Sequence, residues 1–199
     1  MSKVELTPQM RAFQKRFETE RLADRVLEVA FHDALSESDR RTIENAMFFF
    51  LATVDGDGQP QCSYKGGMRG FVHIENDTTL IFPVYEGNGL YLSAGNIAEM
   101  GKVGLLFIDF EAQKRMRING SAEILDDHPS FSSVRAAQFA VRVKITDIHP
   151  NCPRNVHKMA VVEQSSYTPR CNSDDVGKAP WGDSFADVLP EKMKPERMR

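Results

Sequence analysis

The amino-acid sequence predicts a mainly β protein with flanking helices, built around one antiparallel barrel. Two observations support this prediction. Short runs rich in β-branched and aromatic residues recur between residues 47 and 150, and turn residues such as the DGDG at 55–58 separate them. The first 46 residues show a helical period instead, with apolar residues at i, i+4 and i+7.

The helical segment carries its own start signals. Leu22, Val26 and Val29 form the apolar stripe of one predicted helix. Thr7-Pro8 is a typical cap and first-turn pair, and Ser36 with Asp39 predicts the start of a further helix. No residue type here indicates chemistry, so we expect these helices to cover a sheet edge or a dimer seam.

Seven strands are expected in the barrel. The first two form a hairpin over residues 47–65, and the others span 71–75, 79–83, 103–110, 114–125 and 138–148. Residues 103–110 are almost continuously apolar, which predicts burial on both faces, whereas 138–148 alternate and should have one buried face. The glycine-rich stretch 85–102 should hold a short helix.

Three parts of the chain follow: an N-terminal helical segment (1–46), the barrel (47–150) and an extended C-terminal arm (151–199). The arm is rich in proline, has weak periodicity and contains the single Trp181.

The composition restricts the class of function. A formal net charge of -3 gives no argument for nucleic-acid or membrane binding. Three cysteines without CxxC spacing make a disulfide framework unexpected. The N-terminus has no apolar signal region, and the longest apolar run, 47–52, is too short for a spanning helix. We expect a soluble, cytoplasmic protein.

The stretch GQPQCSYKGGMRGFV, 58–72, has more polar groups than a core strand needs. Gln61, Ser63 and Lys65 share one face of the predicted strand, and a hydroxyl beside an ammonium can bind a phosphate. The glycines after them let a ligand approach the backbone. A polar strand that ends in a turn is an equally good interpretation of this stretch alone.

Two further stretches could bind an anion. In KRMRING, 114–120, Arg115, Arg117 and Asn119 share a face and could cradle a phosphate, although a solvent-facing strand is the simpler interpretation. In GNGLYLSAGNI, 87–97, a helix N-terminus with Asn88, Ser93 and Asn96 nearby could attract an anion, or it could be a capped surface helix.

The stretch HPNCPRN, 149–155, has histidine and cysteine but lacks the second pair that a tetrahedral zinc site needs. We therefore predict no metal site. A turn that places Arg154 beside a ligand is the better interpretation, and no catalytic residue is identified.

Taken in order, the stretches FFFLATVDGDGQPQCSYKGG, TLIFPVYEGNGLYLSAGNI, VGLLFIDF, KRMRINGSAEI and HPNCPRN resemble the pyridoxamine 5'-phosphate oxidase-like family of FMN-binding split β-barrels. The resemblance covers about residues 43–157. It implies homodimers with FMN in clefts at the subunit interface. The residues that it places near the cofactor are Gln61, Cys62, Ser63, Tyr64, Lys65, Asn88, Ser93, Asn96, Arg115, Arg117 and Arg154.

The resemblance also implies limits on the activity. The true oxidase carries Gln at the position of Met116 and a C-terminal Trp/Arg pattern that is not evident around Trp181. We therefore expect the broader branch of the family and an FMN-dependent oxidoreductase that acts on a small molecule, with a small organic donor or a nicotinamide. The alternatives are a non-catalytic flavin, haem or deazaflavin carrier or sensor, for which His73, His128, His149 and His157 are conceivable haem ligands, and a structural dimer scaffold.

Overall fold

The protein is described by a computed structural model that covers residues 4–131, 137–169, 185 and 187–191. The helices are α1 (Pro8–Arg16), α2 (Glu20–Ala30), α3 (Glu37–Asn45) and α4 (Leu92–Met100). The strands are β1 (Phe48–Val54), β2 (Pro60–Gly66), β3 (His73–Asn76), β4 (Thr79–Tyr85), β5 (Lys102–Asp109), β6 (Lys114–Leu125) and β7 (Ala137–Asn151). The mainly β prediction with flanking helices is confirmed.

All seven strands belong to one sheet in the order β2-β1-β5-β6-β7-β4-β3. Every neighbouring pair is antiparallel. The edge strands β2 and β3 do not pair with each other in the described part of the chain, so the barrel is split rather than closed. This opening leaves room between the two ends of the sheet.

The core lies on the inner face of the sheet. Phe49 of β1 packs against Phe82 of β4 and Phe107 of β5, with ring centroids 5.0 and 5.2 Å apart. Because β1 and β4 are far apart in the strand order, the Phe49–Phe82 contact shows that the sheet curls around its own core. Ile43 of α3 is fully buried against the same cluster.

The outer face corrects one expectation. In β5, Val103, Leu105 and Phe107 are buried, but Leu106 and Ile108, which alternate with them, are only half-buried. The prediction that this strand is buried on both faces was wrong for the single chain. The apolar residues Leu106 and Ile108 lie on the outer face of the sheet, and no element among the described residues covers them completely.

The predicted helix starts are confirmed. The Thr7 side chain accepts a hydrogen bond from the Met10 N–H, and Pro8 occupies the first turn. Ser36 and Asp39 form a reciprocal capping box. However, α1 and α2 bury no residue, and large apolar side chains on them stay exposed in the single chain.

The C-terminal arm follows β7 without further helix or strand over residues 152–169. It returns to the β5–β6 hairpin, where the Met159 N–H donates to the Phe110 carbonyl at 3.3 Å and the Gln113 side chain donates to the Val156 carbonyl at 2.7 Å. Trp181 lies outside the described residues.

Candidate functional site

A cleft of about 370 Å³ lies where the two ends of the split sheet approach each other. Strand β2 forms one wall, the end of β4 forms the other, and the loop 86–91 with the start of α4 closes one side. The lining residues are Leu51, Gln61, Cys62, Ser63, Lys65, Phe82, Val84, Tyr85, Gly87, Asn88, Gly89, Tyr91, Leu92, Ser93, Ala94, Ile97 and Val141.

The alternation of β2 turns its polar residues inward. Ser63 pairs with Leu51 and Lys65 pairs with Phe49, and both partners belong to the buried face of β1. Side chains of directly paired residues share a face of the sheet. Ser63 and Lys65 therefore project into the cleft, as their spacing in the sequence indicated.

Lys65 is a charge at the edge of an apolar core. Burial lowers the pKa of its ammonium, because removal from water penalises the charged form. Within the described residues, no carboxylate lies within ion-pair distance of it. An anion in the cleft would compensate this charge.

The start of α4 provides the other polar wall. The Ser93 hydroxyl and the Ser63 hydroxyl form a hydrogen bond of 3.1 Å, which ties the start of α4 to β2 at the wall of the cleft. Tyr91 occupies the N-cap position, and no side chain of the described residues caps this helix end. The free N–H groups of a helix N-terminus attract negative charge.

Asn88 and Asn96 have different roles. Asn88 lines the cleft, and its side chain accepts a hydrogen bond from the Leu90 N–H at 3.1 Å, which shapes the loop. Asn96 is buried and donates to the Thr53 hydroxyl at 3.0 Å. Asn96 thus ties α4 to β1 and does not line the cleft.

Besides Asn96, four predicted residues do not line the cleft: Tyr64, Arg115, Arg117 and Arg154. Tyr64 faces outward and stacks on Phe48 with ring centroids 5.3 Å apart. Arg117 belongs to the same outer face, since the paired row runs from Tyr64 through Phe50 and Leu106 to Arg117. Within one chain, Arg115 and Arg117 of β6 therefore lie on the opposite face of the sheet from Lys65.

Arg115 and Arg154 are also not in contact with the cleft. The Arg115 guanidinium donates to the Cys152 carbonyl, which fixes the turn after β7. Arg154 is exposed in that turn. Arg115 and Arg117 therefore belong to the outer side of the sheet.

A polar network on the outer face was not foreseen. His149 is buried, stacks on Phe31 with centroids 4.1 Å apart, and lies 3.2 Å from Asp147 through Nδ1. The Asn119 amide donates to the same Asp147 oxygen, Oδ1, at 3.1 Å and to Oδ2 at 3.3 Å. Burial lowers the pKa of His149, and its hydrogen bond to the Asp147 carboxylate opposes this shift. Asn119 and His149 were expected in other roles, and no local pattern indicated that Asp147 joins them.

Tyr91 was also missed as a site residue. Its φ of 51° is in the left-handed region, and its hydroxyl donates to the Gln138 side chain at 3.0 Å. Local sequence gave no sign of it, because neither the backbone conformation nor a partner 47 residues away is encoded nearby.

The described residues contain neither a metal-binding cluster nor a membrane-spanning helix. No group of three or more His, Cys, Asp or Glu side chains in that part of the chain is arranged to hold a metal ion. None of its helices has the length and apolar character needed to cross a membrane.

The family model described as Pyridoxamine 5'-phosphate oxidase matches residues 35–165, which is more than half of the chain. No curated protein sequence matches.

Three solved structures are similar. HupZ of Group A Streptococcus is 19% identical, with a TM-score of 0.49 over 63% of this chain and 99% of that one. An FMN-binding protein from Syntrophomonas wolfei is 16% identical, with a TM-score of 0.45 over 72% and 97%. The heme storage protein HutZ from Vibrio cholerae is 17% identical, with a TM-score of 0.40 over 60% and 92%. On the family match, which covers the whole sheet and the cleft, the chain belongs to the pyridoxamine 5'-phosphate oxidase family.

Proposed function

We propose that the cleft binds FMN and that the protein is an FMN-dependent oxidoreductase acting on a small molecule. One observation carries the proposal. A partly buried lysine without an acidic partner among the described residues lines the same cleft as two serine hydroxyls, one of them at an uncapped helix N-terminus. This combination suits a phosphate group, which needs charge and several donors together.

The rest of the cleft suits the other part of FMN. Leu51, Phe82, Val84, Ile97 and Val141 form an apolar floor that matches a flat aromatic ring system. The volume of about 370 Å³ is within the range of small-molecule sites, roughly 300–1,000 Å³. Gln61 and Asn88 would supply polar contacts at the edge.

The roles of the chain's own residues follow from this arrangement. Bound flavin would supply hydride chemistry, with a small organic donor or a nicotinamide as the partner. Lys65, Ser63 and Ser93 would hold the phosphate and so fix the position of the ring. The apolar floor would exclude water from one side of it. No step requires a side-chain nucleophile.

A homodimer is part of the proposal. Phe48, Phe50, Leu106 and Ile108 leave half-buried apolar surface on the outer face, beside Arg115 and Arg117. A second copy would cover this surface. Since these arginines face away from Lys65 of their own chain, they would reach FMN only in the cleft of the partner.

The test begins with the absorbance spectrum of the purified protein, followed by mass identification of any released cofactor. Flavin absorbance and a released mass equal to FMN support the proposal. A colourless protein that fails to bind added FMN refutes it. Light scattering should show a dimer, and the double substitution Arg115→Ala with Arg117→Ala should weaken FMN binding without loss of the fold.

The same samples separate the alternatives. Flavin that binds but is never reduced by NADH or NADPH would favour a carrier or sensor. Haem has less support in this cleft, because no histidine lines it among the described residues. A Soret band after reconstitution with haem would contradict that conclusion.

A further inference from the structure

The loop between β4 and α4 covers one side of the cleft, and a side-chain contact in the described part of the chain joins its end to β7. Tyr91 lies at the end of this loop, and its hydroxyl donates to Gln138 Oε1 at 3.0 Å. Gln138 belongs to β7, which is on the far side of the loop. The Tyr91 ring also lies near Phe139, with centroids 6.3 Å apart.

The backbone of Tyr91 works against this contact. A left-handed conformation is unfavourable for a bulky residue, because Cβ approaches the following carbonyl oxygen. The gain from one neutral hydrogen bond at a partly exposed site is of similar size to that conformational cost. Two nearly balanced terms leave the closed arrangement only marginally preferred.

The rest of the loop would permit movement. Gly89 has a φ of 77°, and a Cβ added at Gly87 or Gly89 would meet no atom within 4 Å. Leu90 and Leu92 are largely exposed on either side of Tyr91. Within the described part of the chain, residues 87–92 are therefore held by little packing besides the bond to Gln138 and the ring contact.

We propose that Tyr91 and Gln138 form a latch that holds residues 87–92 closed over the cleft, and that opening of this latch controls how fast a ligand enters and leaves. Tyr91 is a positioning residue in this proposal. The part of the proposal that concerns FMN exchange rests on the proposed function, whereas the latch itself does not.

The first experiment uses the protein without added ligand. The Gly95 N–H donates to the Tyr91 carbonyl at 2.8 Å, so release of Tyr91 exposes this amide to exchange. Tyr91→Phe and Gln138→Leu should each raise the hydrogen-exchange rate of Gly95 about threefold to tenfold. The Gly101 amide, which donates to Ile97 at the other end of α4, is the internal control.

The pair also predicts non-additivity. Because both substitutions break the same bond, the double variant should exchange no faster than either single variant. Tyr167→Phe removes the hydroxyl of another partly exposed tyrosine, on the C-terminal arm, and should change nothing. Unchanged Gly95 exchange in both single variants, or additive effects in the double variant, would overturn the latch.

The second experiment measures FMN exchange by stopped-flow fluorescence. A latch limits entry and exit alike, so both variants should raise the association and dissociation rate constants by the same factor and leave Kd within about twofold. A contact between Tyr91 and the ligand would raise only the dissociation rate, and that result overturns the control of exchange. If the wild-type protein binds no FMN, the proposed function fails, and Gly95 exchange alone decides the latch.

Discussion

The substitution Lys65→Met tests the anion site with the least change in shape. Methionine keeps the aliphatic stem that lies against the core and removes only the charge. A hydrogen bond that involves a charged group contributes about 1.5–3 kcal/mol, and about 1.4 kcal/mol corresponds to a tenfold change in affinity. The Kd for FMN should therefore rise by a factor between about 10 and about 150.

The assay compares two ligands by flavin fluorescence. Riboflavin lacks the phosphate, so its affinity should change less than about twofold in the same variant. Lys144→Met, an exposed lysine on β7, is the matched control and should leave both affinities unchanged. Equal losses for FMN and riboflavin would show that Lys65 does not contact the phosphate, and no loss for either would remove it from the site.

The same substitution should stabilise the unliganded protein at neutral pH. Burial lowers the pKa of Lys65 in the folded state, so the unfolded chain binds the proton more tightly. The wild-type free energy of unfolding should rise with pH from the lowered pKa toward 10.5, where the penalty ends. Urea unfolding should show a higher free energy of unfolding for Lys65→Met than for the wild type, and this difference should be larger at pH 7 than at pH 10. A gap that is constant or grows with pH would contradict this reasoning.

Three further predictions concern the fold around the site. Asn96→Ala should lower the free energy of unfolding by about 1–3 kcal/mol, because it removes the buried hydrogen bond to Thr53. A titration should show an unchanged Kd for FMN. A higher Kd in fully folded protein would show that Asn96 contacts the ligand. Gly120→Ala should lower the free energy of unfolding in urea by about 1–3 kcal/mol, because its Cβ would lie 2.5 Å from the Lys144 carbonyl oxygen. Gly87→Ala should be tolerated, because a Cβ there meets no atom within 4 Å. Equal losses in the two variants would refute the steric argument. Because burial lowers the pKa of His149 in the folded state, the wild type should lose stability as pH falls below 6.5 toward that lowered pKa. The Tm of His149→Gln should drop less than the wild-type Tm between pH 7.5 and pH 5. An identical drop would exclude His149 as the cause.

Local patterns were sufficient for most of the fold. Turn residues separated the strands, and the caps at Thr7 and Ser36 predicted helix starts that the structure confirms. Within β2, alternation alone placed Ser63 and Lys65 on one face. These features depend on a few neighbouring residues, which is why the sequence contains them.

The relation between distant strands could not be obtained in this way. Alternation says that Arg115 and Arg117 share a face, but not that this face is opposite to the one that carries Lys65. That assignment depends on the register through β1, β5 and β6. Asn96 and Tyr91 are similar cases, because their partners Thr53 and Gln138 are contributed by other strands.

Among the described residues, strand β2 has a single hydrogen-bonded neighbour, β1, and adjacent residues on it face two different surfaces. Lys65 faces the cleft, and Tyr64 packs on Phe48 and Phe50 on the outside. A contact that orders this edge strand on one face therefore also orders it on the other. If the outer face forms the proposed homodimer, occupancy of the cleft and self-association should be thermodynamically linked, each raising the affinity of the other by the same factor.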